Sequence, residues 1–175
     1  MEGWPLVSTP RLHLRPARMD DLLMIEAGVS DSRFPAELPL ARMAQEAKLS
    51  AWLQRMTSDP ESPVLWAATA RDNDACIGTV ALVREKSPAT WWLAYWIDPD
   101  KWNKGFASEA IGALLNAAAQ RQDYVQVVAA VACTNLASIR VLRRVGFAEC
   151  SPDNVEQAVP AGHLTMQRLL RPRDA

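Results

Sequence analysis

The sequence predicts a mixed α+β domain with a mostly antiparallel sheet of six to seven strands flanked by four helices. Its elements run strand, two helices, three strands, helix, strand, helix, two strands, unlike the regular alternation of a doubly wound fold. Val64–Ala70 and Cys76–Val83, joined by Arg71–Ala75, give a strong hairpin signal. Ala107, Ala110, Ile111, Leu114, Leu115 and Ala118 form an unbroken apolar stripe of helical period. That helix stands between two hydrophobic runs, and small residues let it lie close against a sheet.

Taken in order, Met1 to Thr9 reads as an irregular lead-in. Pro10–Pro16 alternates Leu12 and Leu14 with Arg11, His13 and Arg15, a strand with prolines at its limits. Met19-Asp20-Asp21 offers an N-cap for a helix carrying Leu22, Leu23, Ile25 and Glu26. A proline-marked stretch from Ser30 to Pro39 precedes a second helix, Ala41 to Met56, with Met43, Ala47, Trp52, Leu53 and Met56 on its apolar side. Asp59–Pro63 is a turn before the hairpin, and Ser87-Pro88 turns the chain into the aromatic strand Thr90–Ile97. Asp98-Pro99-Asp100 stops that strand, and the striped helix then runs to Gln120. Val125–Val131 is hydrophobic enough to be a central strand. Thr134–Ser138 leads into a helix with Ile139, Leu142 and Val145 inward, stopped by Gly146 as a C-terminal cap. Phe147–Cys150 starts a sixth strand, residues 151–160 are turn-like, and His163–Leu169 closes the chain as the last strand. No repeat or linker interrupts the pattern, so residues 1–175 read as one domain.

Composition narrows the function classes. At 175 residues, 49% apolar and 22% charged, the chain can bury a large core without staples. A formal net charge of -1 supplies no basic field, which argues against nucleic acid as a partner. Cys76, Cys133 and Cys150 contain no Cys-x-x-Cys and point to neither a disulfide framework nor a metal site. A reducing cytoplasm is the natural setting, and no apolar run approaches the ~20 residues a membrane span needs. Four of the seven tryptophans, Trp91, Trp92, Trp96 and Trp102, crowd one strand and loop, suggesting a wide aromatic-walled cleft.

That loop carries the first chemistry. Strand, polar loop with Gly105, then helix N-terminus is a geometry that presents several free backbone N–H groups to one point. The helix dipole adds partial positive charge, and Lys101 and Lys104 could add full charges, so the place suits a phosphate. The spacing is neither a Walker loop nor a dinucleotide fingerprint. Trp102-Asn103-Lys104-Gly105-Phe106-Ala107 resembles the pyrophosphate loop of the GCN5-related N-acetyltransferases, Q/R-x-x-G-x-G/A, with Trp102 at the first position. It looks most like the ribosomal-protein N-terminal acetyltransferase branch, with Asn103 for Gly, Phe106 for Tyr and Ser108 for Thr, while Glu109 and Ala110 are kept. Asn135-Leu136-Ala137-Ser138-Ile139-Arg140-Val141-Leu142-Arg143-Arg144-Val145-Gly146-Phe147 is similar to a second family motif, Asn-x-x-Ser-x-x-x-Leu-x-x-x-Gly-Phe. The element order is the family's too, so the resemblance covers essentially the whole chain.

The resemblance implies acetyl-CoA as co-substrate and no metal. It implies a V-shaped splay between the strands at about 90–97 and 125–131, opened by a bulge in the tryptophan-rich strand. Pantetheine would lie in that gap like a missing strand, and the pyrophosphate would sit on the N–H groups around Asn103 to Ala107, with Trp102 and Ser108 at the ends of that contact. Backbone N–H groups near Tyr95, Trp96 and Ile97 would polarise the thioester carbonyl, and Asn135 would bond the pantetheine arm, the other reading of Asn135 being an ordinary helix cap. The amine would attack directly, so no nucleophilic side chain is needed and Cys133 is structural. The family's usual proton-donating tyrosine is replaced by Leu142. Ser138 occupies the position of the serine thought to act in the ribosomal-protein branch; the other reading of Ser138 is a helix-start serine. The glutamate that relatives carry before the loop is replaced by Trp92, leaving Asp98, Glu85, Glu149, His163 or water as the base. Lys101 and Lys104 could screen a phosphate, with Arg140, Arg143 and Arg144 less well placed.

The implied activity is acetyl transfer from acetyl-CoA to a primary amine, such as a protein N-terminal α-amine, in a ternary complex. Trp52, Trp91, Trp92 and Tyr95 suggest an apolar or aromatic rim for the acceptor, with Trp92 contacting it. An aminoglycoside would want a carboxylate cluster that the sequence lacks. Acetylation of a small-molecule amine or antibiotic, and a non-catalytic acyl-CoA sensor, are the alternatives. A monomer or a homodimer through an edge strand is compatible with the sequence.

Overall fold

The computed structural model describes residues 6–58, 64–84, 90–120, 125–152 and 159–170. The turns expected at Asp59–Pro63 and Ser87-Pro88, the candidate base Glu85 and most of segment 151–160 lie outside these residues. The elements are β1 (Val7–Ser8), β2 (Leu12–Pro16), α1 (Leu22–Val29), α2 (Pro39–Gln45), α3 (Leu49–Ser58), β3 (Val64–Ala70), β4 (Cys76–Arg84), β5 (Thr90–Ile97), α4 (Phe106–Ala119), β6 (Val125–Ala132), α5 (Leu136–Arg144), β7 (Ala148–Cys150) and β8 (His163–Leu170). The strands form one sheet in the order β1-β2-β3-β4-β5-β6-β8-β7. Every pairing is antiparallel except β5 with β6.

Among the described residues there are eight strands and five helices, one more of each than expected at most. The extra strand lies in the lead-in, where Val7 and Ser8 pair with Leu14 and His13 across the turn at Thr9–Arg11. The extra helix comes from dividing the expected Ala41–Met56 helix. Ala47 adopts a left-handed φ of 53°. Lys48 N–H donates to Met43 O (2.7 Å) and Ala47 N–H to Ala44 O (3.0 Å), a Schellman stop that ends α2 without a glycine. At α5 the same motif has the expected residue. Gly146 takes φ 86°, with Phe147 N–H on Leu142 O and Gly146 N–H on Arg143 O, both 3.0 Å. Asp21 does not cap α1 with its side chain; it is buried and takes both guanidinium N–H groups of Arg15, at 2.8 and 2.9 Å.

Strand alternation divides the core. One face of the sheet (Leu12, Leu14, Trp66, Val80, Leu93, Val127) packs with Ile111, Leu114 and Leu115 of α4 and Ile139 and Leu142 of α5. The other face (Leu65, Ala67, Ala81, Trp96) packs with Ile25, Val29, Ala41, Leu49 and Leu53 of α1, α2 and α3. The tryptophans therefore do not line one wall. Trp91 and Tyr95 pack on the α4 side, while Trp92 and Trp96 share the opposite face by the period of two along β5.

Only Thr90, Trp91 and Trp92 pair with β6, at Gln126, Val127 and Val128. From Leu93 and Ala129 onward the two strands part, which is the expected V. Its origin differs from the expected bulge: β5 holds unbroken register on β4, from Gly78↔Ile97 to Arg84↔Trp91. Instead β6 follows β8, to which it is paired from Val125↔Leu170 to Ala132↔His163, and diverges with the twist of that pair.

The α1 side of β5 depends on a close approach. A Cβ on Gly28 would lie 2.6 Å from Trp96 Cζ3, and Phe34 meets the same indole edge-on at 6.4 Å between centroids. Gly28→Ala is expected to force α1 off the indole and to destabilise the protein by about 1–3 kcal/mol, measured as a lower urea midpoint at unchanged slope.

Candidate active site

The gap between β5 and β6 and the loop above it are built from β5, α4 and α5. Asp98 N–H donates to Ile77 O of β4 (2.9 Å). By alternation, the N–H groups of Trp92, Ala94 and Trp96 also turn to β4, that of Leu93 turns to the last paired residue of β6, and those of Tyr95 and Ile97 turn to the gap. Tyr95 and Ile97 thus offer backbone donors there, whereas Trp96 contributes a buried side chain to the opposite core. Trp102 bends back so that its indole N–H donates to Ile97 O (2.7 Å), tying the loop to the end of β5.

The loop winds tightly into α4. Asn103 has φ 60° and Gly105 φ 81°, both left-handed, and flank Lys104. Such alternation makes a backbone concavity for an anion. The first N–H groups of α4, from Phe106, Ala107 and Ser108, have no intrahelical acceptor, and among the described residues none other meets them. Lys104 turns its ammonium to Asp100 O (2.9 Å). Lys101 instead borders a hollow of ≈ 310 Å³ beside the loop, shared with Arg11, Arg71 and Phe106.

One carboxylate fixes this loop, at a position marked by its motif only as one of the kept residues. Glu109 accepts from Thr9 Oγ1 (2.6 Å), Arg11 N (3.0 Å) and Arg11 Nε (2.7 Å). Arg11 reaches on to Lys104 O (2.8 Å) and lies over the Phe106 ring at 4.4 Å. Burial alone would raise the Glu109 carboxyl, but the bonds from Thr9 and Arg11 outweigh it and hold it below its ordinary value. On the outer side Arg33 bridges Asp31 and Asp100, each at 2.7 Å.

Below the loop, Asn135 is the N-cap of α5, its Oδ1 accepting Ser138 N–H at 3.0 Å. The capping reading of Asn135 thus describes its oxygen. Ser138 Oγ does not cap; it lies 2.6 Å from the Tyr95 hydroxyl, which burial pushes up in pKa against a smaller lowering by that bond. Leu142 is buried in the core. Of the described candidate bases, Asp98 caps the turn before the loop through Asp100 N, and Glu149 is paired with Arg143 at 2.6 Å. His163 pairs with Ala132 in register and so faces the α1 side of the sheet. Trp92 and Ala94 face that side from β5.

The sheet is split between its parallel central strands, and a helix N-terminus whose free N–H groups suit an anion stands at the mouth of the split. Residues 11–148 match the family model of the acetyltransferase (GNAT) domain, and the chain belongs to that family. Family members use acetyl-CoA. The chain is 26% identical over 157 residues to the uncharacterized N-acetyltransferase YnaD of Bacillus subtilis (strain 168), covering 86% of this chain and 90% of that one. Among solved structures it resembles a GNAT-family acetyltransferase from Bacillus anthracis, with TM-score 0.76, 17% identity and coverage of 97% and 100%. It also resembles RimL, a ribosomal L7/L12 α-N-protein acetyltransferase in complex with coenzyme A, with TM-score 0.78, 16% identity and coverage of 97% and 100%. At these identities the structures speak for the fold.

Two outcomes follow from the loop. Gly105→Val puts a branched side chain at φ 81°, where a Cβ already meets Arg11 Nη2 at 3.4 Å; acetyl-CoA binding by calorimetry should be lost while the circular dichroism of the fold is retained. Because the Glu109 pKa is depressed on folding, its contribution to stability is full above the ordinary value of 4.5 and fades as pH falls through the folded value. The stability difference between wild type and Glu109→Gln should therefore shrink on acidification, measured as urea midpoints across that range.

Proposed function

We propose that the protein transfers the acetyl group of acetyl-CoA to the primary amine of an uncharged, oxygen-bearing acceptor such as a peptide N-terminus. The observation that carries this reading is the α1-side face around the gap. Trp92, Ala94 and Trp96 from β5, Val128, Ala130 and Ala132 from β6, and His163 and Thr165 from β8 share that face by register, and none is acidic. Ala94 and Ala130 are exposed on it and Trp92, Ala132 and His163 are half-buried, while Trp96 and Thr165 lie in the core beneath. An apolar and aromatic surface without a carboxylate suits a peptide better than the several positive charges of a polyamine or aminoglycoside.

Acetyl-CoA, when bound, supplies an activated acetyl thioester. The free N–H groups of Phe106, Ala107 and Ser108, with the concavity at Asn103 to Gly105, suit its pyrophosphate. The edge of β5 that turns Tyr95 and Ile97 to the gap suits the amide-bearing arm, and the Tyr95 N–H is a donor for the carbonyl oxygen as charge develops there. The acceptor amine approaches from the side carrying Trp92, and the Ser138 hydroxyl, on the other side, holds the proton for the departing sulfur. Asn135 keeps the first turn of α5, and with it Ser138, in place.

The test is calorimetric binding of acetyl-CoA, followed by thiol release over a panel of peptides and small amines. Turnover is expected with peptides, and Trp92→Phe should raise the KM for the peptide severalfold while leaving that for acetyl-CoA unchanged. Tight binding with no thiol released by any amine would replace this reading with that of an acyl-CoA sensor. Turnover confined to polyamines or aminoglycosides would move the acceptor to the small-molecule class.

A further inference from the structure

The family's usual tyrosine position is Leu142, a core residue, yet a phenol stands at the gap on a different element. Tyr95 belongs to β5 and Ser138 to the first turn of α5, the helix that follows β6. Their hydroxyls, 2.6 Å apart, bridge the two arms of the V where no backbone ladder does. We propose that Tyr95 and Ser138 act as one proton-donating couple, in which Ser138 protonates the thiolate leaving group and Tyr95 relays a proton to Ser138. This rests on the acetyltransfer reading of the gap.

The hydrogen count makes the couple useful whichever oxygen donates. Two hydroxyls sharing one hydrogen bond use one O–H hydrogen and leave the other to be aimed elsewhere. The other acceptor near the pair is Ser138 O, 3.5 Å from the Tyr95 hydroxyl, which is long for an O–H bond. Capping of that turn is done by Asn135 Oδ1, which takes the Ser138 N–H, so the bond given for Ser138 Oγ is the one to Tyr95. Burial keeps the phenol protonated at neutral pH.

The step balances as follows. As the amine nitrogen bonds to the acetyl carbon, the carbon–sulfur bond breaks and sulfur takes its electron pair. The Ser138 O–H proton passes to sulfur and the Tyr95 O–H proton passes to Ser138 Oγ. The phenolate recovers a proton from solvent, while the proton of the new amide nitrogen leaves to water or a base on the acceptor side.

The experiment compares Tyr95→Phe, Ser138→Ala, Ser138→Thr and the Tyr95→Phe/Ser138→Ala pair in the full chain. Tyr95→Phe keeps the ring and its packing, so it tests the hydroxyl alone. Both Tyr95→Phe and Ser138→Ala should lower kcat by at least about tenfold with the acetyl-CoA KM within about twofold, on the scale of lost acid catalysis. The double variant should lose no more than the worse single one, as for residues acting as a unit, and Ser138→Thr should retain most activity. A readout independent of turnover is the calorimetric affinity for free CoA as pH crosses its thiol pKa. In wild type it should rise with thiol ionisation, and in Tyr95→Phe and Ser138→Ala that rise should be lost. A Tyr95→Phe enzyme with wild-type kcat, multiplicative losses in the double variant, or affinity reduced equally at every pH would overturn the couple. If the wild type fails to bind acetyl-CoA at all, the acetyltransfer reading falls instead, and the couple falls with it.

Discussion

Three residue pairs hold β5 to β6, and the hydrogen-bonding edge of β5 beyond them has no strand to meet. An extended backbone carries donors and acceptors on both edges, and leaving them buried without partners is costly. β4 satisfies one edge of β5 from Trp91 to Ile97. On the other edge the chain spends side chains instead: the Trp102 indole covers Ile97 O, and the Tyr95–Ser138 hydroxyls bridge the arms. The N–H group of Tyr95, beyond the last paired residues, remains for a guest with amide character. The gap is thus a constraint before it is a binding site, and the neighbouring residues answer to it.

The loop above the gap departs from the family pattern at positions that have local explanations. Tryptophan at 102 brings an N–H that reaches the strand end. Asn103 tolerates the left-handed backbone that a glycine would otherwise supply. Phe106 lacks the hydroxyl of the tyrosine common in the branch, and its ring serves as a platform for Arg11. None of these departures takes an acceptor to the N–H groups of Phe106, Ala107 and Ser108, the groups that suit an anion.

How much of this was legible in the sequence depends on whether the signal was local. The apolar stripe of α4 and the Gly146 stop of α5 are where spacing and glycine chemistry put them, because both are decided within a few residues. The end of α2 is decided just as locally, but by Ala47 in a conformation alanine seldom takes, so its sequence carries no stop. The V was legible only through resemblance, and its cause was misjudged because the divergence comes from β6 following β8 rather than from β5 itself. Least legible were bonds between residues far apart in the chain. Glu109 meets Thr9 and Arg11 across nearly a hundred positions, and Tyr95 meets Ser138 across forty-three; no periodicity encodes such pairs.

The Glu109 carboxylate has a further consequence for the edge of the sheet. The β1–β2 hairpin sits at the outer rim, where strands ordinarily fray with little free-energy cost. Here its turn is bonded to the carboxylate that projects from the first turn of α4, and Arg11 of that turn reaches on to Lys104 O, so rim and loop share one opening event. Anything that steadies the loop from inside the gap also fastens a hairpin it never touches. Occupancy of the cleft would then be legible at the periphery, in the slowed hydrogen exchange of the amides around Thr9 and Arg11.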